Sequence, residues 1–422
     1  MALPHSIHGV GLLLVLVLAL GACTPSYVRH TARVQALAEA EQYPEALREL
    51  DAEAGRESLD RLLVVADRGA LLHRAGEWEQ STRALQEAAE LADERETVRL
   101  SEELFGRAPW RMGTLERQAL HTLNALNFLL LGRPEEAAVE ARLTDALHLR
   151  QHLEARHRTE LEQSLALVAF DEDFRAYLER LAFGLYVSAL AHELAGNEES
   201  AFIDYLDAWR VTRLAPPGAP SQLTHLPPKL VAEARRLARP ELPELKRLLA
   251  DSTVPATPEA GELVVFVEAG RIPERCLLSR GGTQVWSVCA RSWSHEKARV
   301  EVAGQSQTAE TVTSLENLLL RRGALGALAD TERAPSVAVN LGTVVSWLLV
   351  PPVGAALVIR RVAEVNNRMA QGWLSLPAEF QVVRLSVPKG RQVVRIRTGA
   401  REQVREVDIS SGRPAVLVVQ LE

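Results

Sequence analysis

Side chains able to do chemistry are few and thinly spread. Ser294-His295-Glu296-Lys297 puts a hydroxyl, an imidazole, a carboxylate and an amine at four consecutive positions. Its Ser-x-x-Lys spacing would let a lysine activate a serine for acyl transfer, if a helix opened a cleft there and Ser-Asp-Asn and Lys-Thr-Gly elements followed. Neither follows, so the spacing is read as chance. His148 and His152 are four apart, on one face of a helix, with His157 nearby. A metal would need a third ligand and an ordered surround. Arg150, Arg156 and Arg158 would repel a cation, so the stretch reads as a solvated face, and neither a metal nor a cofactor is expected. Gly281-Gly282 lacks the downstream Lys-Ser or Lys-Thr of a phosphate cradle. No catalytic residue is assigned, and the chain is not expected to be an enzyme.

The remaining reactive group is the thiol of Cys23. An apolar run from Val10 to Leu20 precedes it. That run is too short to span a hydrocarbon core of ~30 Å as a helix, but it fits the core of an export signal. Gly21 and Ala22 are small enough for a peptidase to approach the backbone. Leu20-Gly21-Ala22-Cys23 resembles the lipobox of bacterial lipoproteins. The resemblance implies that residues 1–22 are removed and that Cys23 is acylated with palmitate, becoming a lipidated N-terminus that tethers the chain to a membrane. Thr24, where an Asp would favour inner-membrane retention, implies the outer membrane and a body facing the periplasm. The segment before the apolar run has no Lys or Arg, a departure from that family. Outside the cytoplasm, Cys276 and Cys289 form an even pair flanking the Gly281-Gly282 turn. They are compatible with a disulfide closing that loop and with two buried thiols that never meet.

The elements that carry these residues fall into two halves. With 422 residues, 47% of them apolar, the chain can build two or three sizeable cores. A net charge of −7 gives no field that points to nucleic acid, and 44 Arg against 4 Lys reflects base composition rather than a binding surface. Leu341–Val358 is the nearest thing to a further membrane span, but Pro351 and Pro352 interrupt it and favour a buried turn. From residue 23 to 250 the chain is rich in Ala, Leu, Glu and Arg and reads as helix. A unit recurs within it: Gly76-Glu77-Trp78-Glu79-Gln80-Ser81, Gly132-Arg133-Pro134-Glu135-Glu136-Ala137 and Gly196-Asn197-Glu198-Glu199-Ser200-Ala201, with Glu41-Gln42-Tyr43-Pro44-Glu45-Ala46 as an earlier copy without the glycine. The glycine suits a helix C-cap, the acids suit the next N-terminal turn, and the small residue five places on lets two helices approach. These intervals resemble the tetratricopeptide repeat. The copies lie 35, 56 and 64 residues apart, so the resemblance implies an array of irregular hairpins.

Residues 251–261 read as a linker, and composition changes after it. Glu262–Glu268, an apolar run between two Glu, is expected as a central strand; Gln284–Ala290 and Ala298–Val302 are expected as further strands, and Leu315–Asp330 and Val353–Ala370 as helices. Phe380–Val387, Arg391–Arg397, Val404–Ile409 and Ala415–Leu421 read as a meander turning at Pro388-Lys389-Gly390 and Ser411–Pro414. In the third of these strands from the end, Gln392, Val394 and Ile396 share one face, and Val393, Arg395 and Arg397 the other. The fold class is therefore α+β and multidomain: a tetratricopeptide-like helical array over 23–250, then a β-rich sheet or sandwich over 262–422 with inserted helices.

As a whole the chain is similar to uncharacterised bacterial tetratricopeptide-like lipoproteins, mainly through Leu123–Ala146 and Gly261–Arg275. The likeness implies place and architecture, and no settled activity. The expectation is a non-enzymatic scaffold in envelope assembly or regulation that binds envelope proteins through the array and the membrane through its lipid. Asn124, Asn127, Arg142, Asp145 and Tyr186 are the candidates for the groove lining. Arg384, Lys389, Arg391, Arg395, Arg397, Arg401 and Arg405 give the tail a basic cast, and Arg391, Arg395 and Arg397 are the candidates for a polyanion such as peptidoglycan or lipid phosphate, diluted by Glu402, Glu406 and Asp408. The alternatives are a glycan- or lipid-binding lipoprotein, and a periplasmic hydrolase or transferase seated around Ser294, His295 and Glu296.

Overall fold

The computed structural model describes residues 26–54, 59–95, 110–144, 180–215, 223–248, 260–280, 283–321, 371–399, 401–410 and 412–421. Cys23, Asp145, the three histidines at 148–157, the stretches 322–370 and 251–259, and Gly281-Gly282 lie outside them. The fold is α+β, with helices before residue 250 and antiparallel-rich sheets after it. No described helix is long and apolar enough to cross a membrane.

The helices come in hairpins: α1 (Ser26–Glu39) with α2 (Tyr43–Glu53), α3 (Arg61–Arg74) with α4 (Trp78–Glu94), α5 (Thr114–Leu130) with α6 (134–144), and α7 (Ala182–Leu194) with α8 (Glu198–Arg213). α9 (Leu226–Arg236) and the short α10 (Leu242–Leu248) follow. All four hairpins turn the same way. Gly76 N–H donates to the His73 carbonyl at 3.1 Å and Glu77 N–H to that of Leu72 at 3.0 Å. The same pair of bonds recurs at Gly132, Gly196 and Glu41. This 6→1 and 5→2 closure needs a left-handed residue. The three glycines supply it at φ +80°, +70° and +80°, and Glu41 is held there at +57° despite its Cβ. Five residues on, Ala46, Ser81, Ala137 and Ala201 are all buried where the paired helices meet.

The strands make three sheets. The first runs β10 (Ala415–Leu421), β1 (Gly261–Ala269), β7 (Glu379–Val387), β6 (Glu310–Ser314), and the second β5 (Gln305–Thr308), β4 (Arg299–Val302), β8 (Gly390–Thr398), β9 (Arg401–Ile409). A hairpin of β2 (Glu274–Arg280) and β3 (Thr283–Cys289) stands apart, closed by a Cys276–Cys289 disulfide with Cα atoms 5.9 Å apart. A helix, α11, begins at residue 315 after β6. The tail is not the simple meander expected of it. β8 and β9 pair as read, but β7 lies beside β1 in the other sheet, and β10 runs parallel to β1. The reason is burial on two faces. β10, like β1, carries a near-continuous apolar run, and β7 puts apolar residues on both faces (Phe380 and Val382 on one, Val383, Leu385 and Val387 on the other), which suits strands with a layer on each side.

Alternation along β1 divides the core. Val264 and Phe266 face the helices and join a cluster running from Leu62 through Leu126, Phe183 and Tyr205 to Trp373 and Phe380. Leu263, Val265 and Val267 face the second sheet and join Val300, Val394, Ile396, Val383 and Leu385. The molecule is thus three layers, helices on sheet on sheet, and the first sheet buries apolar residues on both faces. Phe183, at the start of α7, stacks on Phe380 of β7 with centroids 4.0 Å apart and meets Phe266 edge-on at 5.3 Å.

Candidate functional site

Charged groups cross the helix-facing side of the first sheet. Glu262 and Glu268 share the face of Val264 and Phe266, and Arg384 shares that of Phe380 and Val382 on β7. Arg384 is buried and donates to both Glu193 oxygens (2.7 and 3.1 Å), to the Tyr205 hydroxyl (2.9 Å) and to Glu262. Lys229 of α9 reaches Glu193 at 2.8 Å. Burial would raise the Glu193 pKa, but the two cations outweigh it and hold it at about 2. At the other end of β1, the His73 ring lies between Glu268 Oε1 (3.0 Å) and Asn127 Oδ1 (2.6 Å). Both neighbours present acceptor oxygens to the ring, an arrangement that favours the doubly protonated imidazole. Burial works against that charge, and Glu268 overcomes it and raises the His73 pKa. Asn127 Nδ2 then donates to Ser81 Oγ at 2.8 Å, and Ser81 to the Gly69 carbonyl at 2.7 Å. Asp67 accepts from the Ser375 hydroxyl (2.6 Å) and N–H (3.2 Å), yet burial pushes its pKa up to about 7.

These contacts reassign the expected groove residues. Asn124, Asn127 and Tyr186 are core residues, each no more than 1% exposed, and cannot line a surface groove. Asn127 is spent on His73 and Ser81, and the Tyr186 hydroxyl lies 3.0 Å from His225 Nε2, whose Nδ1 meets Glu310 at 2.5 Å. For Asn127 and Tyr186 the cause is the second layer: the sheet covers that side of the array, with Glu268 reached through His73 and Phe266 against the Tyr186 ring. Arg142 is exposed, and Asp145 lies outside the described residues. Among the basic candidates, Arg391 pairs with Glu406, and Arg397 with Glu402 (3.3 Å) and Glu301 (3.6 Å). Arg395 stands opposite Val404 and Glu301 on the same exposed face. The face is mixed in sign, which removes the focused field a polyanion site needs.

Two concavities are formed by the described residues alone. One, of about 270 Å³, lies on the helical half between Glu79, Thr82, Arg83 and Gln86 of α4 and Phe128, Leu131 and Arg133 at the end of α5. Thr82 Oγ1 is buried there without a hydrogen-bond partner among the described residues. The Arg133 guanidinium lies 5.0 Å over the Phe128 ring.

The other, of about 290 Å³, opens at the end of the sandwich. Four elements build it. The extended segment before β4 contributes His295 and Lys297; β6 and the start of α11 contribute Thr311, Ser314, Glu316, Asn317 and Leu320; β7 opens with Glu379. Alternation in the extended segment sends Ser294 and Glu296 elsewhere, Glu296 against Gly399. Ser294 and Lys297 therefore do not converge, because the segment is not a helix. A bulge between Thr311 and Thr313 separates two hydroxyls that a regular strand would aim to one face. Thr311 donates to Glu379 Oε1 at 2.6 Å, whereas Thr313 accepts from Phe183 N–H at 2.9 Å. Gln381 also donates to Glu379 Oε1, at 2.8 Å. Burial raises the Glu379 pKa, opposed by those bonds and by Lys297 and His295. Ser314 Oγ accepts from Asn317 N–H at 3.1 Å and starts α11, which places Glu316 in its first turn. Trp293 Nε1 donates to Glu316 Oε2 at 3.0 Å. Its ring lies flat on Gly270, at φ +66°, where any Cβ would overlap it. Sequence reasoning found His295 but missed Glu316 and Glu379, because the three meet only through strand pairing. No cluster of metal-ligand type occurs among the described residues. No family model, curated protein or solved structure matches the chain.

Proposed function

We propose that the chain is a lipid-anchored, non-enzymatic scaffold of the bacterial cell envelope, held at the outer membrane through Cys23 and offering its hairpins to a polypeptide partner. The observation that carries the reading is the closeness of Leu20-Gly21-Ala22-Cys23 to the first hairpin, since α1 begins at Ser26. Three residues reach at most ~11 Å. An acyl group on Cys23 would therefore hold the helical layer close to the membrane, not on a long tether. The four identical hairpin turns support a tetratricopeptide-like array with irregular spacing. With the inner side of that array filled by the sheet, the α4–α5 cleft is the concavity among the described residues that we assign to an extended segment. Arg83 and Arg133 flank it.

Metabolic labelling with palmitate tests the anchor: wild-type chain should be labelled and sedimented with outer membranes, and Cys23→Ser should be neither. An unlabelled wild-type chain would refute it. A photo-crosslinking residue in place of Arg83 should capture a discrete envelope protein that the same residue in place of Arg405 does not. Equal capture at both positions would remove the cleft from the proposal.

A further inference from the structure

We infer that the cavity at the end of the sandwich is a binding site for a single polyhydroxylated ring, that is, a monosaccharide-sized ligand. The inference stands apart from the anchor and the helical cleft. Size comes first. At about 290 Å³ the cavity is at the small end of ligand sites, which run from ~300 to ~1,000 Å³, and it suits one ring. The lining comes second. Leu320 is its one aliphatic residue, and the other side chains all donate or accept hydrogen bonds. Such a wall disfavours an apolar ligand, whose burial would strand those groups.

The carboxylates decide the class. Glu316 and Glu379 are more than nine-tenths buried, and each has one oxygen committed to the protein: Oε2 of Glu316 to Trp293, and Oε1 of Glu379 to Thr311 and Gln381. The second oxygen of each, Oε1 of Glu316 and Oε2 of Glu379, has no hydrogen-bond partner among the described residues and does not belong to the sealed, unsatisfied atoms of the interior. Both side chains line the cavity, so these oxygens are acceptors held ready by bonds behind them. Two fixed acceptors suit the O–H groups of a diol. They repel an anion. A bare divalent cation would have only two carboxylates, with the Lys297 ammonium beside them. Lys297, His295 and the Asn317 amide at the same wall can donate to ring or hydroxyl oxygens. Trp293 is buttressed by Gly270 and fixes Glu316, so the acceptor geometry precedes the ligand.

Saturation-transfer NMR on the full chain, with glucose and glucosamine as probes, tests this. Both sugars should receive saturation, with a dissociation constant near ~1 mM, as fits a ligand of about a dozen heavy atoms. Glu316→Gln and Glu379→Gln should each weaken both sugars at least about fivefold, a factor of the size lost with one good hydrogen bond. The double variant should not bind. Leu320→Trp, which fills the cavity from its aliphatic wall, should also abolish binding, and it decides the matter if a glutamine variant fails to fold. Absence of transfer to either sugar in the wild type, or unchanged binding in Leu320→Trp, would overturn the inference. Binding of glucosamine alone, abolished by 0.5 M salt, would overturn the polyol class in favour of a simple ammonium site.

Discussion

β1 is covered on both faces, and the two faces are sealed by opposite means. Toward the second sheet, Leu263, Val265 and Val267 pack in a cluster with Val300, Val394 and Ile396, and no ion pair among the described residues crosses that side. Toward the helices, the same strand carries Glu262 and Glu268 beside Val264 and Phe266, and each carboxylate is met by a buried cation, Arg384 or His73. Hydrophobic burial has no direction, so an apolar face stabilises a packing without choosing one orientation. Buried ion pairs do the reverse. Their desolvation cost cancels much of their attraction, but a wrong docking leaves a charge unpaired. The helix-facing side therefore carries the information about how hairpins sit on the sheet, and the sandwich side carries more of the stability per residue.

The largest test of this contrast is Arg384→Ala. It leaves Glu193 with Lys229 alone and the part-exposed Glu262 without its partner, so the cost in urea unfolding should fall at the low end for a broken buried pair, about 3 kcal/mol. Arg384→Met combined with Glu193→Gln and Glu262→Gln removes the charges together and should cost clearly less. If the single and triple variants lose the same stability, the seam is packing and not charge. Next, Ile396→Ala empties a fully buried site in the sandwich and should cost about 2–5 kcal/mol. It lies across the sheet from Arg384, so the two losses should add within about 0.5 kcal/mol. A larger coupling would mean that the two faces are not separate systems.

Asp67 sharpens the contrast through pH. It is a buried carboxyl on the helical side, held by Ser375 and by no cation among the contacts described for it. Its folded pKa of about 7 exceeds the unfolded value near 3.9. Between those two pH values the folded state keeps a proton that the unfolded state has lost. Stability contributed by this group is therefore full below about pH 4 and falls as pH rises toward 7, by at most about 4 kcal/mol. Asp67→Asn should flatten thermal stability over that window by about 2 kcal/mol. An unchanged pH profile would show that Asp67 ionises freely.

The turns and the apolar strands were legible because each depends on local chemistry. A glycine followed by acids and a small residue fixed the hairpin sites, and an apolar run between two Glu marked β1 as central. What those Glu paired with was not legible, since Arg384 and His73 lie far along the chain. Arg384 was grouped with the exposed basic residues of the tail, although Phe380 and Val382 at the same strand parity already pointed inward. Asn124, Asn127 and Tyr186 read as groove residues when the inner face of the array is assumed to be open. The apolar run Leu123–Leu131 around the two asparagines was the better signal, and it marks a helix buried all round. Glu316 and Glu379 could not have been joined without the β6–β7 register, which sets Ser314 opposite Glu379.

The smallest expected effect belongs to the exposed face of β8 and β9. Arg397 is 45% exposed and shared between Glu301 and Glu402, and Arg391 is more exposed still beside Glu406. Ion pairs of this kind contribute about 0–1 kcal/mol, because water screens the attraction and two long side chains must be held still. Arg397→Ala should shift stability by less than about 0.5 kcal/mol, and 0.5 M salt should erase even that. The same reasoning bears on binding. Arg391, Arg395 and Arg397 are each already opposed by a carboxylate on a neighbouring strand, so Arg395→Ala with Arg397→Ala should leave sedimentation with peptidoglycan unchanged. Loss of sedimentation in that double variant would mean that a polyanion displaces Glu402 and Glu301 from Arg397, and that this face, rather than the helical cleft, is where the molecule meets its surroundings.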